Sequence, residues 1–128
     1  MGINNFEGTV AYFVISRLAG GEILENYTKD ETSLQPLLEY SLSYLENFET
    51  LKNDAANWEQ NISQHSNSIK VGKLNQVSFF YQNLKVFFVE IKEDDIFVVG
   101  FFNNNYPDGI IKLFWKEYID YVRQNYSF

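Results

Sequence analysis

Between Gln76 and Phe102 three apolar runs follow one another, parted only by Gln82-Asn83 and by Lys92–Asp95. That spacing leaves little room for anything but a three-stranded antiparallel meander. It predicts strands over Leu74–Tyr81, Leu84–Ile91 and Ile96–Phe102. The first alternates Val77, Phe79 and Tyr81 against Ser78 and Phe80. The second and third are apolar at nearly every position, the pattern of strands covered on both faces, so helices are expected on both sides of the sheet. Asn103–Asn105, Pro107 and Gly109 close the meander. A helical pattern over Asp108–Asn125 follows, with Ile110, Ile111, Phe114, Trp115, Tyr118, Ile119 and Val122 on one broad face and Asp108 as its expected N-cap.

Upstream, Thr9–Ser16 (TVAYFVIS) reads as a central strand, and Gly20-Gly21 supplies a turn where positive φ carries no steric penalty. Glu22–Thr28 reads as a shorter, more exposed strand hairpinned to the first, with Ile23, Glu25 and Tyr27 on one face. Thr32 or Ser33 is the expected N-cap of a helix whose first turn accommodates Pro36. Apolar residues recur at 34, 37, 38, 42, 45, 48 and 51, close to the helical period. The pattern weakens through Ala55, Ala56, Trp58 and Ile62, and Asn53-Asp54 is the expected break. Two helical segments, or one long helix whose end packs on a partner, are the readings this leaves. The whole is one α+β domain over residues 1–128: a five-stranded antiparallel sheet flanked by helices, in the order ββαβββα.

Charge and composition narrow the function. A net charge of −7, with ten Lys and Arg spread along 128 residues and no basic stripe, excludes a surface that tracks nucleic-acid phosphates. It also disfavours anionic membranes. Cysteine is absent, which removes disulfides, thiolate ligands and a cysteine nucleophile. Met1–Glu7 has neither a basic nor an apolar leader segment, and no apolar run reaches the roughly 20 residues of a membrane span. A cytoplasmic protein without direct membrane insertion is expected. The sequons at Asn26, Asn61 and Asn125 are read as chance.

No catalytic, cofactor-binding or metal-ligating constellation emerges. The one histidine, His65, stands in a polar loop without a second imidazole or an orienting acid. Glu93-Asp94-Asp95 lacks the ligand spacing of a calcium loop and reads as a hairpin turn. Gly20-Gly21 leads into a strand without the Gly-Lys-Ser/Thr of a phosphate loop. The acids are scattered over apparent helix faces and turns.

One surface feature rises above this background. If Leu74–Tyr81 is a sheet edge, it carries Val77, Phe79, Phe80 and Tyr81 without the Lys or Pro that usually guards an edge. The long helix adds an aromatic flank, Tyr40, Tyr44 and Trp58, beyond what one core stripe needs. These seven residues are the candidate dimer interface.

The element order resembles the roadblock/LC7 and longin families, within the wider roadblock/longin/profilin-like architecture. The resemblance rests on Val10–Ile15, the Gly20-Gly21-Glu22-Ile23-Leu24 turn into the second strand, the meander to Phe102, and Gly109 at the opening of the last helix, over roughly residues 8 to 125. Two departures stand out. A roadblock helix ahead of the first strand has only Met1–Glu7 to form from, and Arg17-Leu18 stand where a roadblock hairpin often has an acid. The resemblance implies a non-enzymatic dimerisation and scaffold module without cofactors, regulating or tethering a small Ras-like GTPase or a trafficking or motility complex. Roadblock modules pair through the third strand and the long central helix, so a homodimer or paralogue heterodimer is implied. Two other readings fit the residues: a small-ligand sensor with an apolar pocket, and an acidic inhibitor or immunity-type protein directed at a basic partner.

Overall fold

The computed structural model describes residues 6–66 and 68–126, so the first five residues of the Met1–Glu7 stretch lie outside it. Five strands form one antiparallel sheet: β1 (Thr9–Ser16), β2 (Glu22–Thr28), β3 (Gln76–Phe80), β4 (Leu84–Lys92) and β5 (Ile96–Asn103). Their spatial order is β2-β1-β5-β4-β3. The sheet is therefore an α+β one with β2 and β3 at its margins. Helix α1 (Leu34–Ser63) covers one face and α2 (Asp108–Tyr126) the other.

The inner strands β1, β4 and β5 carry the core on both faces. Tyr12, Val14, Phe87, Val89, Val98 and Phe102 meet Ile111, Trp115, Tyr118 and Val122 of α2. Ala11, Phe13, Ile15, Val86, Phe88, Phe97 and Val99 meet Leu45 and Phe48 of α1. At Gly100 the Trp115 ring of α2 comes down onto the bare backbone. A Cβ there would overlap the Trp115 ring and stand 3.0 Å from Phe102, so only a bare backbone lets α2 settle.

Helix α1 is a single unbroken element of 30 residues, about 45 Å long at roughly 1.5 Å per residue. Of the two readings the sequence left, a pair of segments broken at Asn53-Asp54 or one long helix, the single helix is the one formed. Both side chains are exposed and have only a modest helix-propensity deficit, of the order of 0.7 kcal/mol relative to alanine. Just before them Lys52 fastens the helix to the β4–β5 hairpin, its Nζ lying 2.9 Å from Glu90 and 2.8 Å from Asp94. Burial lowers the Lys52 pKa, but these two carboxylates outweigh it and hold the ammonium at about 12.

Several local expectations are displaced by a residue or two. The start of the helical region is capped by Asp30, which accepts from the Thr32 amide at 3.0 Å; Ser33 makes no side-chain cap. Asp108 is the first helical residue of α2 rather than its cap. There its negative charge suits the helix N-terminus and pairs with the largely buried ammonium of Lys85. The first meander strand shortens to Gln76–Phe80. Gly20 and Gly21 do take positive φ, 76° and 84°.

The two faces of β2 are not the simple alternation expected. A bulge opposite Val14 and Ile15 inserts Leu24, so that Ile23 faces α1 while Glu25 and Tyr27 face α2. Glu25 then accepts hydrogen bonds from Tyr118, Tyr121 and Tyr126 at 3.3, 3.2 and 2.9 Å. Burial, reinforced by the Glu25 charge, pushes the Tyr118 phenol far up and that of Tyr126 to about 12. These phenols therefore stay protonated and keep donating at any ordinary pH.

Candidate functional site

The two margins of the sheet are built differently. β2 carries Glu22 and Glu25, is kinked by its bulge, and is tied to α2 through the three tyrosines. Charge and irregularity of this kind guard an edge against further pairing. β3, QVSFF, is regular and uncharged, and among the described residues its ladder runs only to β4.

The register of that ladder decides which backbone groups are free. Asn75 accepts from the Glu90 amide at 2.9 Å and the Tyr81 amide donates to Leu84 at 2.8 Å. In an antiparallel pair the bonded positions alternate. Asn75, Val77, Phe79 and Tyr81 therefore bond inward to β4, while the N–H and C=O groups of Gln76, Ser78 and Phe80 point out of the sheet. This is a template for one more strand.

The seven candidate interface residues cluster around this margin but divide between its faces. Val77 and Phe79 are half-buried and lean on the α1 face. Tyr44 stacks on Phe79 with ring centroids 4.9 Å apart, and its hydroxyl meets that of Tyr81 at 3.0 Å. Burial and this hydroxyl contact drive the Tyr44 phenol well above its usual range, so the link between α1 and the end of β3 persists in neutral form. Tyr40 and Trp58 stand out from α1, 61% and 67% exposed. Phe80 lies on the opposite face, 64% exposed, in edge contact with Phe87 and beside the Lys85 ammonium.

Sequence reasoning missed the grooves that flank these residues on the α1 face. One, about 610 Å³, runs between Leu51, Ala55 and Trp58 of α1 and Leu74, Gln76 and Val77 at the start of β3. The other, about 430 Å³, lies between Leu37, Tyr40 and Tyr44 and the β3–β4 turn at Tyr81–Leu84. Both follow from α1 running antiparallel to β3 while only Ser41, Leu45 and Phe48 of the helix are buried. The only sequence signal was the second apolar line 40, 44, 51, 55, 58, 62 beside the core stripe.

Elsewhere, His65 is exposed in the loop after α1. Glu93–Asp95 forms the β4–β5 turn, with Asp94 at φ 58° and Asp95 accepting from the buried Ser16 hydroxyl at 2.7 Å. Among the described residues no set of three or more His, Asp or Glu side chains could hold a metal ion, and no helix is long and apolar enough to cross a membrane.

No protein-family model matches the sequence, and no curated protein matches it. Solved structures do match its shape. A roadblock/LC7 domain from Streptomyces avermitilis superposes with a TM-score of 0.65 at 9% identity, over 95% of this chain and 88% of that one. The chain has a roadblock/LC7-like fold. MglB in a tetrameric arrangement shares that fold with a TM-score of 0.65 at 15% identity, over 91% of this chain and 76% of the other. The gliding protein MglB from Thermus thermophilus gives 0.62 at 13% identity over the same shares. In this fold the bare margin and the aromatic flank of α1 fall on the third strand and the long central helix.

Proposed function

We propose that this protein is a non-enzymatic dimerisation and scaffold module that regulates or tethers a small Ras-like GTPase, or a trafficking or motility complex, in the cytoplasm. The observation that carries this reading is the asymmetry of the sheet. One margin is charged, bulged and clamped, while the other is regular, apolar and, among the described residues, turns three pairs of backbone groups outward beside an aromatic helix flank. Strand addition at such an edge gains main-chain hydrogen bonds and apolar contact together. The likeness in fold to a protein described as a gliding protein, and to MglB in a tetrameric arrangement, supports assembly and a motility setting.

Light scattering on the purified chain tests the first half of this reading. The expected mass at micromolar concentration is twice the 15.0 kDa of one chain; a monomer at every accessible concentration would rule the reading out. Titration with Ras-like GTPases loaded with GDP or a GTP analogue tests the second half, and nucleotide-dependent, saturable binding is the expected result.

A further inference from the structure

We infer that the α2 side of the sheet, beside β3, is a docking shelf for an amphipathic helix of a partner protein, one whose flank is acidic. The shelf is distinct from the β3 edge. It lies on the face of the sheet turned away from α1, and its occupancy does not depend on assembly along the margin.

The two sides of β3 are covered unequally. Val77 and Phe79, on the α1 side, are half-buried, whereas Gln76, Ser78 and Phe80 on the other side are all exposed. The path of α2 is the reason. It starts over β4, where Asp108 meets Lys85, crosses β5 with Trp115 on Gly100, and ends at β2, where Tyr126 donates to Glu25. The helix thus moves away from β3 along its length. Phe80 is left 64% exposed, yet its ring is held: it stands in edge contact with Phe87 at 6.2 Å between centroids and 5.9 Å from the Lys85 ammonium. A large ring already fixed in place costs little further ordering when a partner covers it.

The helix flank beside this shelf is basic. At about 100° per residue, Lys112, Arg123 and Lys116 are turned roughly 60°, 80° and 100° from the sheet-facing Trp115. They turn to the side opposite Tyr118, and Tyr118 reaches β2 through Glu25, so the three cations stand on the flank toward β3. They are three of only ten Lys and Arg in a chain of net charge −7. Of the acids of α2, Asp108 is engaged by Lys85 and Glu117 turns to the opposite side, so Asp120 alone offsets them. Helix α1 by contrast carries Glu39, Glu46, Glu49, Asp54 and Glu59 against the single Lys52. Charge is therefore sorted between the two faces of the molecule.

These features select the occupant. A segment lying on the face of a sheet finds no free ladder there and must satisfy its backbone internally, which a helix does. Seated beside α2 at an axis spacing of about 8–10 Å, its apolar stripe covers Phe80 and the half-buried Ile91 of β4. Acids on its flank then meet Lys112 and Lys116. Complementary charge of this kind fixes the choice of partner more than the strength of binding.

The test uses fluorescently labelled amphipathic peptides of about 16 residues, long enough to form a helix on a surface, with a Leu and Phe stripe and either Glu or Lys along both flanks. Anisotropy with the full chain should show saturable binding of the Glu peptide, at least about 10-fold tighter than that of its Lys twin. Phe80→Ser should weaken it by about 10-fold. The double variant Lys112→Glu with Lys116→Glu should lose the Glu peptide and gain the Lys peptide. All three positions are exposed, so the urea midpoints should match the parent. Sedimentation of the lysine variant should also match the parent, because its changes are remote from the β3 edge, and Trp58→Ala on the other face should leave peptide binding intact. Absent or equal binding of the two peptides, or binding that Trp58→Ala abolishes and the lysine variant keeps, overturns the inference and leaves the assembly reading standing. Capture on phosphatidylserine vesicles in place of the Glu peptide overturns it too, by making the flank a lipid surface. A chain that binds the Glu peptide but never self-associates keeps the shelf and removes the assembly reading.

Discussion

On the proposed assembly through the β3 margin, Ser78→Pro should yield a folded monomer. Proline removes one backbone donor, and at Ser78 that donor points away from β4, because the inward bonds belong to Val77 and Phe79. An edge position of this kind tolerates the fixed φ of proline. The fold should lose no more than about 1 kcal/mol, while any strand added along this margin would lose the bond from the Ser78 amide and meet the proline ring. Self-association should fall by at least about 100-fold, equivalent to about 2.8 kcal/mol. Sedimentation velocity and a denaturant melt at dilute concentration measure the two quantities separately. Phe79→Pro serves as the contrast: it strikes an inward bond and should lower fold stability as well. Phe79→Lys would be a poorer probe, since Phe79 is half-buried against Tyr44 and belongs partly to the core. An unchanged dimer in Ser78→Pro would mean that the β3 margin is not the joint.

The second large effect concerns how α1 is held. Of its 30 residues only Ser41, Leu45 and Phe48 are buried, and Phe48 is the one large ring among them. It packs on Phe88 at 5.2 Å and Phe97 at 5.7 Å between centroids, with the Lys52 ammonium 5.8 Å from its ring. Phe48→Ala removes that anchor and leaves a void that a β-sheet surface cannot close, so the expected loss is about 3–5 kcal/mol. For a domain of this length the melting temperature should fall by roughly 10–20 °C. Because the same helix carries Tyr40, Tyr44 and Trp58, assembly should weaken in parallel. Urea unfolding of the two proteins checks the first figure. A loss below about 1 kcal/mol would mean that α1 is docked mainly by its flanking contacts, such as the Lys52 ion pairs.

The sequence spoke clearly where a local rule and the tertiary environment agree. TVAYFVIS and IFVVGFFN are apolar at nearly every position, and both are inner strands buried on two faces. The glycine pair demanded a turn with positive φ, and the chain takes it there. Legibility failed where a distant partner overrides the local signal. Nothing near Asn53-Asp54 announces that Lys52 will be held by Glu90 and Asp94, 38 and 42 residues later, and the helix continues for that reason among others. Period-two alternation in β2 gave the wrong faces because a bulge depends on the partner strand, and the three tyrosines that meet Glu25 lie more than ninety residues away. At the candidate site, the aromatic residues were visible as an excess over one core stripe. Their division between two faces, and the grooves beside them, depend on the angle of α1 across the sheet, which no spacing rule supplies.

Amide hydrogen exchange resolved residue by residue along β3 tests the central claim most directly. Val77 and Phe79 donate to β4 within one chain and should be protected at every concentration. Ser78, together with Gln76 and Phe80, should be protected only when the copies are joined, with protection that fades on dilution through the dissociation range. Exchange of the Ser78 amide at the rate of an open peptide, in concentrated protein where Val77 and Phe79 remain protected, would contradict the account.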